Sequence, residues 1–123
     1  MAEELGQRMR VAGIVLRGKL PVTEWQHFLI DVTRKIGMEA VREPVVCAYP
    51  IENGKGGTGH SIFLPITESF LVLDTWSDHE GAFLFICSCR PFVLPDVDAV
   101  AAEYGLAALK GETRRMRAEL NLM

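Results

Sequence analysis

The run Ala82-Phe83-Leu84-Phe85-Ile86-Cys87 is apolar at every position, and so is Phe70-Leu71-Val72-Leu73. A strand points successive side chains to opposite faces of its sheet, so a strand apolar at both parities needs cover on both faces. A chain of 123 residues with 49% hydrophobic content reads as one domain over residues 1–123 with a real core. Whatever packs on one side of its central strands, the other side must also be covered.

The flanking segments supply only half of that cover. Val11 to Leu16 is a β-rich run closed by Gly18, which predicts strand one over 8–18. Pro21-Val22-Thr23 opens a helix, with Thr23 as N-cap and Gln26 three residues on in a capping-box pattern. Trp25, Phe28, Leu29, Val32 and Ile36 fall on one helical face, and Gly37 ends it. Pro44 to Ile51 reads as a strand, and Asn53-Gly54-Lys55-Gly56-Gly57-Thr58-Gly59 as a flexible loop. Strands over about 60–67, 69–76 and 81–90 follow with short turns, so antiparallel pairing is expected, with Pro65 marking a bulge or an edge. Pro95-Asp96 starts a second helix that Gly105 stops. In the tail, Met116, Ala118, Leu120 and Leu122 alternate with Arg115, Arg117, Glu119 and Asn121, the period of a half-exposed strand. The order β-α-β-β-β-β-α-β gives an α/β chain of the α+β kind: a two-layer sandwich, an antiparallel sheet with two helices on one face. Two helices cover one face only. The expectation is a homodimer with its sheets packed face to face, because a monomer would expose a large apolar patch.

Charge and composition exclude several classes. A net charge of −3 argues against nonspecific nucleic-acid binding. The acidic N-terminus Met-Ala-Glu-Glu-Leu-Gly has no apolar core of a signal peptide, and no run approaches the roughly 18 residues of a membrane span. Three cysteines, Cys47, Cys87 and Cys89, without a secretion signal read as reduced thiols in a cytoplasmic protein. Cys87 and Cys89 share one side of a strand, but C-x-C lacks the usual zinc spacing, so no metal is expected. The glycine loop lacks P-loop spacing and leads into a strand, so a phosphate role is not expected either. Arg114, Arg115 and Arg117 read as the solvated side of the last strand.

The chemistry-bearing stretch is Thr67-Glu68-Ser69-Phe70-Leu71-Val72-Leu73-Asp74-Thr75-Trp76-Ser77-Asp78. Ser61 stands eight positions before Ser69, and Cys89 twenty positions after it. With Ser61, Glu68-Ser69, Thr75-Trp76, Asp78 and Cys89 at these spacings, the chain resembles the bacterial and archaeal S-adenosylmethionine decarboxylases. The resemblance covers about residues 8–122 in organisation and matches individual residues between Ser61 and Cys89. It implies self-cleavage at Glu68-Ser69: Ser69 Oγ attacks the Glu68 carbonyl and exchanges the peptide for an ester. Loss of the Cα proton then expels the Glu68 carboxylate, and the resulting dehydroalanine hydrolyses to a pyruvoyl group, which would be the cofactor. That carbonyl forms a Schiff base with a substrate amine and withdraws electrons as carbon dioxide leaves. The resemblance further implies Cys89 as proton donor, Asp78 near ribose hydroxyls and Trp76 as a stacking surface. The implied partner molecule is an amino acid or nucleoside-type ligand, S-adenosylmethionine or a related amino acid.

Two positions depart from the family pattern. Asp74 replaces a histidine that helps processing; an ionised carboxylate can take a proton but cannot donate one to an ester oxyanion. Its charge would also repel the Glu68 carboxylate. Lys55, in the glycine run, stands in the loop where the family carries a ring against adenine. These departures keep an alternative open, an uncleaved, non-catalytic homologue with a ligand-binding or structural role. His60 alternates to the face opposite Ser61, and His79 lies in the turn after Trp76; either could stand in for the missing histidine.

Overall fold

The computed structural model describes residues 7–122. Nine elements follow one another: β1 (Arg8–Arg17), α1 (Val22–Lys35), β2 (Val45–Pro50), β3 (Thr58–Ile66), β4 (Ser69–Trp76), β5 (Gly81–Ser88), α2 (Leu94–Glu103), β6 (Ala107–Ala108) and β7 (Arg115–Asn121). The seven strands form one antiparallel sheet in the order β2-β3-β4-β5-β1, and β6 and β7 share the remaining edge of β1. The fold is α+β, as the element order predicts. The two-residue β6 was not expected, because two residues carry no readable period.

Helix α1 forms because its apolar residues recur at helical spacing, and Trp25, Phe28, Leu29 and Val32 are fully buried. Its N-terminus corrects the capping expectation. Pro21 is the N-cap, no side chain caps the helix, and the Glu24 and Trp25 amides donate to the Pro21 carbonyl. Thr23 is already the second helical residue, so its hydroxyl is past the capping position. Both helices end as their glycines predict. Gly37 (φ 83°) and Gly105 (φ 72°) adopt the left-handed conformation. The Met38 amide then reaches back to the Thr33 carbonyl, and the Leu106 amide to that of Ala101. The Tyr104 hydroxyl donates to the Asp31 carboxylate, and its ring stands edge-on to Phe28, tying α2 to α1.

The core lies between the helices and one face of the sheet. Ala12, Ile14 and Leu16 of β1, Ile62, Leu64 and Ile66 of β3, Leu71 and Leu73 of β4, and Leu84 and Ile86 of β5 all belong to it. The register pairs these residues across strands, Ile14 with Leu84 and Leu73 with both Ile62 and Leu84. Pro65 lies in β3 beyond the last β2 pairing, Val45 with Phe63. The Pro65 carbonyl accepts from Val41 on that side, so the missing N–H faces a local edge.

The opposite parity forms the second face. It carries Phe63, Phe70, Phe83 and Phe85, each between 37% and 43% exposed, with Met116 and Leu120 on β7 more exposed still. No helix among the described residues is long and apolar enough to cross a membrane.

Candidate functional site

The chain turns from β3 into β4 through only two residues, Thr67 and Glu68, with Ile66 paired to Ser69. Among the described residues Glu68 is the one non-glycine with positive φ, 59°. A side chain in this region costs about 1–2 kcal/mol, so the Glu68-Ser69 bond sits at a strained hairpin corner. The turn between β4 and β5 spans residues 77–80 and fixes the register that sets Phe70 opposite Cys87. After Ser88 the strand stops, two residues earlier than its sequence suggests. The Ser88 hydroxyl donates to the Arg90 carbonyl (2.8 Å) and accepts from the Arg90 amide (3.0 Å), which holds a bend.

That bend turns Cys89 inward onto Ser69. The Cys89 amide donates to Ser69 Oγ at 3.1 Å, and the Ser69 hydroxyl donates to Cys89 Sγ at 3.6 Å. Cys89 Sγ is in turn 3.9 Å from the Glu68 carboxylate. Ser69 and Cys89 are both buried, and Arg10 Nη1 donates to the Cys89 carbonyl at 2.9 Å. Glu68, Ser69 and Cys89 therefore form one cluster, in which a hydroxyl adjoins a strained peptide and a thiol. Arg10 belongs to its supporting shell; nothing in the sequence but an arginine inside an apolar strand signals it. Cys87 is not part of this group. It lies on the second sheet face, paired with Val11 and Phe70, and burial raises its thiol pKa. The expected shared side for Cys87 and Cys89 is thus corrected by the bend. Among the described residues no group of three or more His, Cys, Asp or Glu is placed to hold a metal ion.

The other candidate residues lie elsewhere. Ser61 pairs with Asp74, and the Ser61 hydroxyl donates to the Asp74 carboxylate at 2.6 Å on the second face. Asp74 is five residues along β4 from Ser69, about 17 Å at ~3.3 Å per residue, and points the opposite way. Asp74 cannot reach Ser69 of its own chain. His60 falls on the opposite parity from Ser61, paired with Thr75 and Ala48. Trp76 ends β4, with its ring edge-on to Phe83 (5.8 Å) and to His79 (6.2 Å). Asp78 is occupied by local contacts: Asn53 Nδ2 donates to it at 2.9 Å, and His79 Nδ1 lies 2.7 Å away. The His79 hydrogen bond, with a smaller contribution from Asn53, holds its carboxyl below the ordinary value. Asp78 thereby fastens the glycine loop to the β4–β5 turn, and the Lys55 amide closes the same loop on Asn53 Oδ1 at 2.9 Å. A cleft of about 520 Å³ opens beside Trp76, and Arg17 and Arg114, which the sequence reading did not single out as site residues, line it.

Compared with models of known protein families the chain matches none, and comparison with curated proteins gives no match.

Proposed function

We propose that this chain is a self-processing, pyruvoyl-dependent decarboxylase of the kind its sequence resembles, the S-adenosylmethionine decarboxylases, acting on that substrate or a related amino acid. One observation carries the reading. Ser69 and Cys89, twenty positions apart and assigned by the resemblance as pyruvoyl precursor and proton donor, lie within hydrogen-bond reach of each other beside a strained Glu68-Ser69 bond. Strain at the corner raises the energy of the peptide to be broken, and the Cys89 amide fixes Ser69 Oγ close to its own backbone. When Oγ adds to the Glu68 carbonyl carbon, its proton passes to the Ser69 nitrogen, which leaves protonated as the ester forms. Elimination then releases residues 1–68 with a free Glu68 carboxylate.

The residues present fit a pyruvoyl group at position 69. The group would form in place from Ser69, and a thiol already stands 3.6 Å from the oxygen that precedes it. Such a group supplies a carbonyl that condenses with an amine and draws electrons as carbon dioxide is lost. Cys89 is then the near proton source for the substrate carbon, with the Glu68 side chain within 3.9 Å of its sulfur before cleavage. The exposed phenylalanines of the second face support a homodimer packed sheet to sheet, in which the Ser61–Asp74 pair would be enclosed.

A second reading, an uncleaved homologue, is favoured by the remoteness of Asp74. The carboxylate in the place of the processing histidine cannot act on Ser69 within the same chain. Intact mass under denaturing conditions separates the two. Self-processing yields residues 1–68 and 69–123, the second lighter by one ammonia than a serine-initiated peptide. A single unbroken chain after prolonged incubation refutes the proposed activity.

A further inference from the structure

The cleft beside Trp76 has a fixed construction. Strand β1 is paired at its far end by β6 and over residues 8–14 by β7, and the loop between them is pinned at both ends to one residue. The Leu109 amide donates to the Val15 carbonyl, and the Val15 amide donates to the Arg114 carbonyl, each at 2.9 Å. Val15, Ile51, Trp76, Phe83 and Leu109 make the apolar wall, and Gly81, opposite Arg17 in the register, leaves the floor without a side chain. A Cβ at Gly81 would sit 2.8 Å from the Leu16 carbonyl oxygen, so this opening is built into the sheet.

Arg17 and Arg114 both line the cleft. Among the described residues neither has an ion pair or a side-chain hydrogen bond. Glu80 is the one carboxylate in the lining, and His79 beside it is engaged by Asp78. The cleft thus presents two uncommitted guanidinium groups against one carboxylate, over a wall containing an indole and a phenyl ring. Guanidinium groups recognise carboxylate and phosphate oxygens in a planar fork, and an apolar wall strengthens such contacts by excluding water.

The geometry points to a binding site for a planar aromatic anion, its ring against Trp76 and Phe83 and its carboxylate or phosphate on Arg17 and Arg114. This inference is independent of self-cleavage. Trp76 lies seven residues along β4 from Ser69, about 23 Å at ~3.3 Å per residue.

The test uses the full chain and two matched probe pairs, adenosine 5′-monophosphate with adenosine, and 2-naphthoate with 2-naphthamide. Binding is followed by the NMR shift of the Trp76 indole N–H, assigned with Trp76→Phe. At least one anion is expected to bind about tenfold tighter than its neutral partner at low salt, with the gap closing as salt rises. Arg17→Gln combined with Arg114→Gln should abolish that gap while leaving the circular dichroism spectrum unchanged. A response to the phosphate alone or the carboxylate alone supports the site and fixes its anion. The inference is overturned if neither anion moves the Trp76 signal at millimolar concentration, if neutral and anionic partners bind alike, or if the double variant keeps the preference. Fragment masses, read on the same sample, report separately on self-cleavage.

Discussion

Replacing Phe63 and Phe85 together with alanine is expected to split the proposed homodimer while the protomer stays folded. The two rings keep 40% and 38% of their surface exposed in the protomer, on the face away from the helices. Of the roughly 200 Å² that a phenylalanine can bury, each therefore leaves about 80 Å² for a partner. At ~25 cal/mol per Å² this is about 2 kcal/mol per ring, and a two-fold axis counts each ring twice, giving about 8 kcal/mol for both. Ordering of side chains and residual alanine surface take back part of that sum. Halving it leaves about 4 kcal/mol, a factor of about a thousand in Kd. Sedimentation equilibrium measures the loss directly, and thermal melting by circular dichroism checks that the protomer survives. The reasoning is refuted if the wild-type chain is monomeric at about 100 μM, or if the double variant dimerises within about tenfold of it.

Three further outcomes are expected. Cys89→Ala should still yield both fragments, because it is the Cys89 amide and not its side chain that holds Ser69 Oγ, yet lower decarboxylation at least about a hundredfold; full turnover would remove the thiol from the mechanism. Glu68→Gly should relieve the left-handed corner and raise Tm by about 4 °C, while slowing cleavage if the strain assists it; a lowered Tm would show the corner is unstrained. Tyr104 has its pKa raised, first by burial and then by the Asp31 carboxylate. A raised folded-state pKa leaves stability whole below the unfolded value near 10 and removes it as pH climbs toward the folded one. Urea midpoints of the wild type should therefore fall more steeply above pH 10 than those of Tyr104→Phe, and parallel slopes would contradict the assignment.

The architecture was legible because its signals are local and redundant. The helical face of Trp25, Phe28, Leu29 and Val32 and the glycines at 37 and 105 each determine a boundary by their own geometry. The alternation of the tail identified β7 against its helix-like composition, since period outweighs propensity once a sheet edge is free to receive the strand. The Thr23 cap failed because Pro21 two residues earlier already supplies the entry dihedrals, φ −59° and ψ 153°. Cys87 and Cys89 were misplaced because a two-residue alternation assumes a continuing strand, and Ser88 folds back on Arg90 to end it.

The division of the candidate residues into two groups follows from turn length, strand alternation and the bend after Ser88. A two-residue turn at Thr67-Glu68 pairs Ile66 with Ser69 and therefore Ser61 with Asp74, since each residue gained on β4 is matched by one lost on β3. Strand alternation sends Ser69 and Asp74, an odd number of positions apart in β4, to opposite faces. The four-residue turn at 77–80 likewise carries Cys89 to the level of Glu68, and only the bend after Ser88 is needed to bring it onto Ser69. Fixed spacing between chemistry-bearing residues is thus a constraint on strand register before it is one on catalysis. It brings together the Ser69 hydroxyl and the Cys89 thiol, and it keeps the Asp74 carboxylate away from them within a single chain.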